Sequence, residues 1–390
     1  MTAEIKALAE RYKSEMIAIR HHLHRHPELS YQEFETSRFI QQQLNAFGIP
    51  FTIIAKTGVV GLIEGKNPQS RIIALRADID ALPIQESNDV AYRSIHEGVM
   101  HACGHDVHTT CLLGAAKILQ ETRNEWEGTV KLIFQPGEEK NPGGASIMIA
   151  EGVLQNPAPQ KIVALHVHPG LQQGHLSFRG GMAMASADEI YITLNADGGH
   201  AAAPHLTADP ILVASHVVIA LQQLISRVNN PTQPSVLSIT SIQGGFATNV
   251  IPSEVKLMGT FRAMDESWRR QAHARITELV TSLAASMGVK ATVHIDVGYP
   301  FVKNDEALTE SVRGLAFDYL DHDHVHETEL RMGAEDFAYY THHIPGCFFR
   351  LGVRNEEKGI IHGVHTPRFD IDESAIELGM GFMAYVGMRG

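Results

Sequence analysis

From residue 51 to residue 167, short apolar runs of strand type alternate with stretches of helical period. That alternation restricts the fold more than any other feature of the chain. Phe51–Ala55, Val59–Glu64 and Arg71–Ala77 read as strands, and a helix is expected over about Thr109–Glu121. Thr129–Gln135 reads as a strand, Pro142–Glu151 as a helix, and Lys161–Val167 as a further strand. Strands alternating with helices build an α/β fold: a mixed, mostly parallel sheet with helices on both faces. Ligands of such sheets gather at the carboxyl ends of the strands. Three of these strands end in polar groups. Arg71–Ala77 runs into Asp78 and Asp80, Thr129–Gln135 into Pro136-Gly137-Glu138-Glu139, and Lys161–Leu165 into His166-Val167-His168.

Two helices are expected before the first strand. Ile5, Leu8, Tyr12, Met16, Ile19 and Leu23 step by three or four and make one stripe, interrupted at Pro27. A second stripe through Phe34, Phe39, Ile40, Leu44 and Phe47 stops at Gly48. The histidines between His21 and His26 read as a solvated helix face.

The character changes near residue 186. Asp188–Asn195, Val236–Gln243, Val255–Phe261 and Ala291–Val297 read as strands. Helices are expected over Asp209–Arg227 and Glu266–Met287. Two helices and four strands suffice for an inserted α+β domain at 186–297. Segments 1–185 and 298–390 are then two parts of one α/β domain. The second part holds a helix near Asp305, a strand at Cys347–Leu351 and a closing helix from about Glu373.

The length, 390 residues, allows two or three domains with cores of their own. The formal charge of −12 makes the chain a poor binder of nucleic acid or anionic membrane. Ile211–Ile225 is the most membrane-like stretch, and Ser215, His216, Gln222 and Gln223 interrupt it, so a buried or half-buried helix is expected there. Met1–Arg20 carries alternating charges and no apolar signal core. Three cysteines, Cys103, Cys111 and Cys347, make no disulfide framework and suit a reducing compartment. A cytoplasmic protein is expected.

The densest polar cluster is His101-Ala-Cys103-Gly104-His105-Asp106-Val-His108, read as a loop ahead of a helix. A thiolate and an imidazole two residues apart suit a borderline-soft divalent metal. Adjacent Glu138 and Glu139 at a strand end allow one carboxylate to ligate and the other to carry protons. His365 lies in a Gly- and Pro-punctuated loop.

The motifs form an ordered set: Ala-Asp78-Ile-Asp80-Ala-Leu-Pro, Met-His101-Ala-Cys103-Gly-His105-Asp106, Gln-Pro-Gly-Glu138-Glu139, Leu-His166-Val-His168-Pro, Gly-Gly-His200, Asn249-Val-Ile-Pro, Gly-Thr-Phe-Arg262, Gly-Ala-Glu335-Asp336-Phe and His365-Thr-Pro-Arg-Phe. From about Ile19 to the C-terminus the chain resembles the dinuclear metal amidohydrolases of the aminoacylase, hippurate hydrolase and indoleacetyl-amino acid hydrolase type. These belong to the wider aminoacylase/carboxypeptidase superfamily. The one departure is Ala334, where the family often has serine.

The resemblance implies two divalent metal ions (Mn, Zn, Co or Ni) held by Cys103, His105, Glu139, His166 and His365. Five side chains serve two ions only if some bridge, and Cys103 or Glu139 could do so. Glu138 would be the general base acting on a metal-activated water. Asp80 would orient a metal ligand, with Asp78 as its competitor for that role. The segment 186–297 would be a lid and dimerisation domain, giving a homodimer. His200 on it would reach an active site, its own or that of the partner subunit, and stabilise the oxyanion, while Asn249 and Arg262 would bind the substrate carboxylate; Arg262 could instead pair with Asp265. The implied reaction is hydrolysis of the amide bond of N-acyl amino acids. A carboxypeptidase or dipeptidase, and a metal-free carboxylate-binding protein, are the alternatives. Most of the 23 histidines, including His322, His324 and His326, receive no role.

Overall fold

A computed structural model describes residues 1–390. The chain divides into two compact units. Unit 1 comprises Met1–Ala183, Lys303–Leu330 and Asp336–Gly390, and unit 2 comprises Met184–Val302 and Arg331–Glu335.

Unit 1 begins with helices α1 (Thr2–Arg25) and α2 (Phe34–Ala46). Strands β1 (Phe51–Ile54), β2 (Gly58–Glu64) and β3 (Ile72–Asp78) follow, then α3 (His105–Glu121), β4 (Thr129–Gln135) and α4 (Gly144–Ala150). Next come β5 (Lys161–Gln172), β6 (Leu176–Phe178) and β7 (Gly181–Met184), where the chain leaves for unit 2.

Unit 2 contains β8 (Asp188–Asn195), β9 (Gly199–His200), α5 (Pro210–Gln223), β10 (Ser235–Gln243), β11 (Val250–Ile251), β12 (Glu254–Ala263), α6 (Glu266–Ser286) and β13 (Lys290–Val297). The chain returns through β14 (Val302–Asn304) to α7 (Glu306–Tyr319), β15 (Val325–Glu327), α8 (Ala338–Thr341), β16 (Gly346–Arg354) and α9 (Ser374–Arg389).

The sheet of unit 1 has eight strands in the order β1-β2-β4-β3-β5-β16-β6-β15. Its centre, β4-β3-β5-β16, is parallel throughout. Antiparallel β1 and β2 extend one side, and β6 pairs antiparallel with β16 on the other. Side chains of β4 alternate between two faces. Val130, Leu132 and Phe134 join the core made with α1, α3 and α9. Lys131 points the other way, and its Nζ donates to the carbonyls of Val153, Gln155 and Pro157 just after α4. Helices therefore cover both faces. The α1 stripe Ile5, Leu8, Tyr12, Met16, Ile19 and Leu23 is buried, each large side chain contributing about 1.5–3 kcal/mol.

Unit 2 has a four-stranded antiparallel sheet, β10-β12-β8-β13. Along β8, Ile190, Ile192 and Leu194 are buried while the intervening residues face outward. The buried set packs with Val213, Val217 and Leu221 of α5 and with Trp268, Ala272, Ile276 and Val280 of α6. Asp209 caps α5 by accepting the Ile211 N–H, and Pro210 supplies a preset φ at its first turn. Asp265 caps α6 by accepting the Trp268 N–H.

Several expectations need correction. Helix α3 starts at His105, not near Thr109, so His105, Asp106 and His108 belong to its first turn and not to a loop. Strand β5 continues through Pro169 and Gly170 to Gln172. The helix expected over Asp209–Arg227 is α-helical only to Gln223 and then widens into a π turn over Leu224–Val228. Pro210–Val228 is long and apolar enough to cross a membrane by length and composition, yet Val213, Val217 and Leu221 lie in the unit 2 core. His24 is not solvated. It is fully buried, with Nδ1 2.8 Å from Asp106 and Nε2 3.2 Å from Glu86.

Candidate metal centre

Strand β3 lies between β4 and β5, so the carboxyl ends of all three adjoin. Asp78 pairs in register with Gln135, and His166 lies two residues beyond the Arg76–Ala164 pair. Asp80, Glu138, Glu139 and His166 thus leave one end of the sheet. The turn Cys103-Gly104 enters α3 beside them. Gly104 has φ +83°, and a Cβ there would sit 2.6 Å from Val167 Cγ2 at the end of β5. Only glycine lets the turn approach β5 so closely. His365 comes from the segment between β16 and α9, and its N–H donates to the Ala102 carbonyl at 2.8 Å. It holds φ +61°, an uncommon backbone conformation at which histidine is enriched.

The imidazoles are oriented by their outer nitrogens. Asp80 Oδ1 is 3.2 Å from His105 Nδ1, and Asp80 Oδ2 accepts from Ser30 Oγ and from the Glu139 N–H. His166 Nδ1 donates to the Val167 carbonyl at 2.7 Å. Both residues thereby present Nε2 lone pairs. His166 Nε2 is 3.5 Å from Cys103 Sγ, and His365 Nε2 is 3.3 Å from Glu139 Oε1. His105 Nε2 lies 3.9 Å from Glu139 Oε1 and 4.0 Å from Glu138 Oε2.

These donors fit divalent ions. A tetrahedral zinc with ordinary bond lengths holds sulfur and nitrogen ligands ~3.6 Å apart and nitrogen and oxygen ligands ~3.4 Å apart. The observed separations match. His105 Nε2 and Glu139 Oε1 are buried without a hydrogen-bond partner, which is costly unless a cation takes their lone pairs. Cys103 belongs to two groups of converging donors, one with His105 and His166, the other with Glu139 and His365. Glu139 likewise belongs to two, one with Cys103 and His365, the other with His105 and Glu138. His108 also approaches His105 and Asp78, but both its nitrogens are engaged, Nδ1 with Asp78 at 2.6 Å and Nε2 by the Val167 N–H.

Without a cation, the acidic surroundings favour the protonated forms of His105 and Cys103. Burial alone would lower the pKa of His105, but Asp78, Asp80 and Glu139 push it up to about 10. Burial, then Glu139 and Glu138, raises the Cys103 thiol well above its ordinary value. Bound cations reverse such shifts and deprotonate a ligating thiol. Burial, then His108 and Arg350, lowers His166 far enough to keep it a neutral ligand. Glu138 is 6% exposed beside this cluster.

Asp78 and Asp80 both approach His105, Asp80 Oδ1 at 3.2 Å from Nδ1 and Asp78 Oδ2 at 3.8 Å from Nε2. Asp80 faces the donor His105. Asp78 faces His108 and receives Arg76 at 2.6 Å, while Arg76 also holds Asp336 at 2.8 Å. Sequence reasoning missed Glu33. Its Oε1 accepts the N–H groups of Tyr31 and Gly137, both at 2.8 Å, and its Oε2 accepts from Thr57. It fixes the turn ahead of Glu138. Burial and then Asp80 push its pKa up to about 7, against those hydrogen bonds. Its position between Pro27 and α2 looks like a plain helix linker, so no signal marked it.

His200, Asn249 and Arg262 all belong to unit 2. His200 pairs with Val250 in the β9–β11 ribbon, and the Asn249 carbonyl accepts the Ala201 N–H, so these two residues adjoin. His200 Nδ1 accepts the Ala202 N–H at 3.0 Å, leaving Nε2 to carry the proton. Arg262 lies in β12 of the other sheet. It makes no ion pair with Asp265, whose carboxylate caps α6.

Residues 74–388 match the family described as Peptidase family M20/M25/M40. The chain is 41% identical over 372 residues to the N-acetyl-L-cysteine deacetylase of Bacillus subtilis, covering 93% of this chain and 85% of that one. It is 40% identical over 380 residues to IAA-amino acid hydrolase ILR1-like 4 of Arabidopsis thaliana, covering 96% and 85%. Among solved structures it resembles the YXEP protein of Bacillus subtilis, described as a dinuclear metal binding peptidase from the M20 family. That match has a TM-score of 0.83 and 33% identity over 97% of this chain and 98% of the other. With a sheet, a separate antiparallel unit and a metal-ligand cluster of this kind, the chain belongs to the M20/M25/M40 peptidase family and is a metal-dependent hydrolase of it.

Proposed function

We propose that the protein hydrolyses the amide bond of N-acyl amino acids. The observation that carries this reading is the buried Glu138 beside the donors Cys103, His105, Glu139, His166 and His365. Two relatives at about 40% identity carry names of enzymes that remove an acyl group from an amino acid, which supports the same reaction class.

When bound, a pair of Mn, Zn, Co or Ni ions polarises the amide carbonyl and brings the pKa of water down to about 7. Glu138 accepts the proton of the attacking water and then delivers it to the amide nitrogen, so the carbon–nitrogen bond breaks with a neutral amine leaving. Asp80 holds His105 in the tautomer that presents Nε2. His200, with its proton on Nε2, donates to the developing oxyanion. The Arg262 guanidinium and the Asn249 amide bind the substrate carboxylate, Arg262 in a bidentate grip.

The segment 186–297 acts as lid and dimer interface. Leu206, Ile219 and Phe246, 77%, 72% and 94% exposed, are large apolar side chains that this segment offers to a second copy. All three cysteines are free and buried, in keeping with a cytoplasmic protein.

The test is a substrate panel on metal-reconstituted enzyme, with N-acetyl, benzoyl and indoleacetyl amino acids set against dipeptides and C-terminal peptides. Turnover of acyl amino acids that stops with chelator supports the proposal. Turnover of peptides alone would shift the reading to a carboxypeptidase or dipeptidase, which the peptidase description of the YXEP protein keeps in view. No turnover of either class would favour a carboxylate-binding protein.

A further inference from the structure

The loop between β4 and α4 carries both Glu138 and Glu139, and one side chain from elsewhere in unit 1 meets it at three residues. Tyr31 lies between α1 and α2 and holds φ +66°, a left-handed conformation that a bulky residue rarely adopts. Its N–H donates to Glu33 Oε1 at 2.8 Å, which fixes that turn. The side chain is thereby aimed at the loop. The ring lies so close to Gly137 that a Cβ there would overlap it. The Tyr31 hydroxyl donates to the Lys140 carbonyl at 2.6 Å and accepts the Gly143 N–H at 3.0 Å. That N–H also reaches the Lys140 carbonyl at 3.0 Å, so hydroxyl, carbonyl and amide close a triangle. Lys140, Asn141 and Pro142 are exposed, so little packing holds this stretch. On the inner side, Asp80 Oδ2 accepts the Glu139 N–H at 3.0 Å. The backbone of Glu138 is held between Gly137, against the ring, and Glu139, tied to Asp80.

We propose that Tyr31 is a positioning residue for Glu138: its ring and hydroxyl together fix the Gly137–Gly143 loop and hold the Glu138 carboxylate at the ligand cluster, where Oε2 lies 4.0 Å from His105 Nε2. This role rests on the reading of Glu138 as the general base. The two adjacent glutamates have opposite tasks. Glu139 gives its lone pair to a cation, while Glu138 stays off the cation and takes a proton. Neighbours in an irregular loop keep separate tasks only if the backbone between them is fixed. A general base works only within hydrogen-bond reach of the proton it takes, and a misplacement of about 1 Å can cost about 10²-fold in rate.

The test uses Tyr31→Phe, which keeps the ring against Gly137 and removes the hydroxyl. Amide hydrogen exchange over 137–143, read by mass spectrometry on metal-reconstituted enzyme, is expected to be at least about tenfold faster than in the wild type. Metal content by elemental analysis is expected to be unchanged. On an acyl amino acid that the wild type hydrolyses, kcat is expected to fall about tenfold with KM unchanged. In the Glu138→Gln background the same substitution is expected to leave the residual kcat as it is, since residues that act through one group are not additive. Unchanged exchange would overturn the proposal with no substrate needed. Faster exchange with wild-type kcat, or an equal loss of kcat in both backgrounds, would overturn it by separating the loop from the base. Lowered metal content would move the effect to Glu139 and overturn it too. A wild type inactive on every acyl amino acid would count against the hydrolase reading instead, and the exchange comparison would still decide whether Tyr31 holds the loop.

Discussion

Asp80 Oδ1 lies 3.2 Å from His105 Nδ1, and the pair decides which face of the imidazole is available. His105 Nε2 faces Asp78 at 3.8 Å, Glu139 at 3.9 Å and Glu138 at 4.0 Å, where a bound cation would take its lone pair. The second oxygen of Asp80 holds the Glu139 backbone and the Ser30 hydroxyl. One carboxylate thereby orients two of the five proposed metal ligands. Replacing such a partner typically costs 10–100-fold in metal affinity. Asp80→Ala is accordingly expected to weaken metal binding by about that factor, read by competition with a chromophoric chelator. Wild-type affinity would remove Asp80 from the orienting role.

Glu138 Oε2 lies 4.0 Å from His105 Nε2 and is left over by the ligand scheme. Glu138→Gln keeps the size and loses the proton acceptor. The expected outcome is full metal content with kcat lowered by about 10²–10⁴-fold, the usual worth of a positioned general base. Retained kcat would mean that the proton leaves by another route.

Glu33 makes a prediction about the turn that carries Glu138. Removing its carboxylate leaves the buried Gly137 N–H and the Thr57 hydroxyl without their acceptor. Each such loss costs about 1–3 kcal/mol. Glu33→Ala should therefore lower unfolding stability by about 2–6 kcal/mol, measured by urea denaturation of metal-free protein. Gly137 itself has φ +60°, and a Cβ there would meet the Tyr31 ring at 2.3 Å, so the turn has little room to compensate.

How far the sequence is legible depends on the element. Thr129–Gln135 and Asp188–Asn195 coincide with β4 and β8, because an apolar run and strict alternation leave few options. The start of α3 was hidden because its cap is Gly104 in a left-handed conformation, with no Ser, Thr or Asp to mark the boundary. Strand β5 runs through Pro169 and Gly170, residues that normally argue for a turn. The Asp78/Asp80 ambiguity was intrinsic, since one carboxylate ends β3 and the other follows two residues later, and only the tertiary hydrogen bonds, to His108 and to His105, tell them apart. Glu138 and Glu139 follow the end of β4 and His105 opens α3, positions that polar residues beside apolar runs mark in the sequence.

Unit 2 offers a test of its own through Asp188, buried at the start of β8. Arg269 Nε donates to Oδ2 at 2.9 Å and its second nitrogen to Oδ1 at 2.5 Å, while His273 Nε2 lies 2.7 Å from Oδ2. Burial works to raise the Asp188 pKa, but His273 and Arg269 outweigh it and hold it below the ordinary aspartate value of 3.8. With the folded pKa below the unfolded one, the unfolded chain binds the proton first as pH falls. The stabilisation is complete above the unfolded value and is lost as pH drops through the folded value. Breaking a buried charge pair costs about 3–5 kcal/mol, so Asp188→Asn should be destabilised by about that amount near neutral pH. The gap to wild type should stay constant down to about pH 5 and narrow as the pH falls toward about 3. Urea midpoints of the two proteins across that range provide the measurement. A gap that widens on acidification would reverse the sign of the linkage and show that Asp188 is protonated in the folded unit.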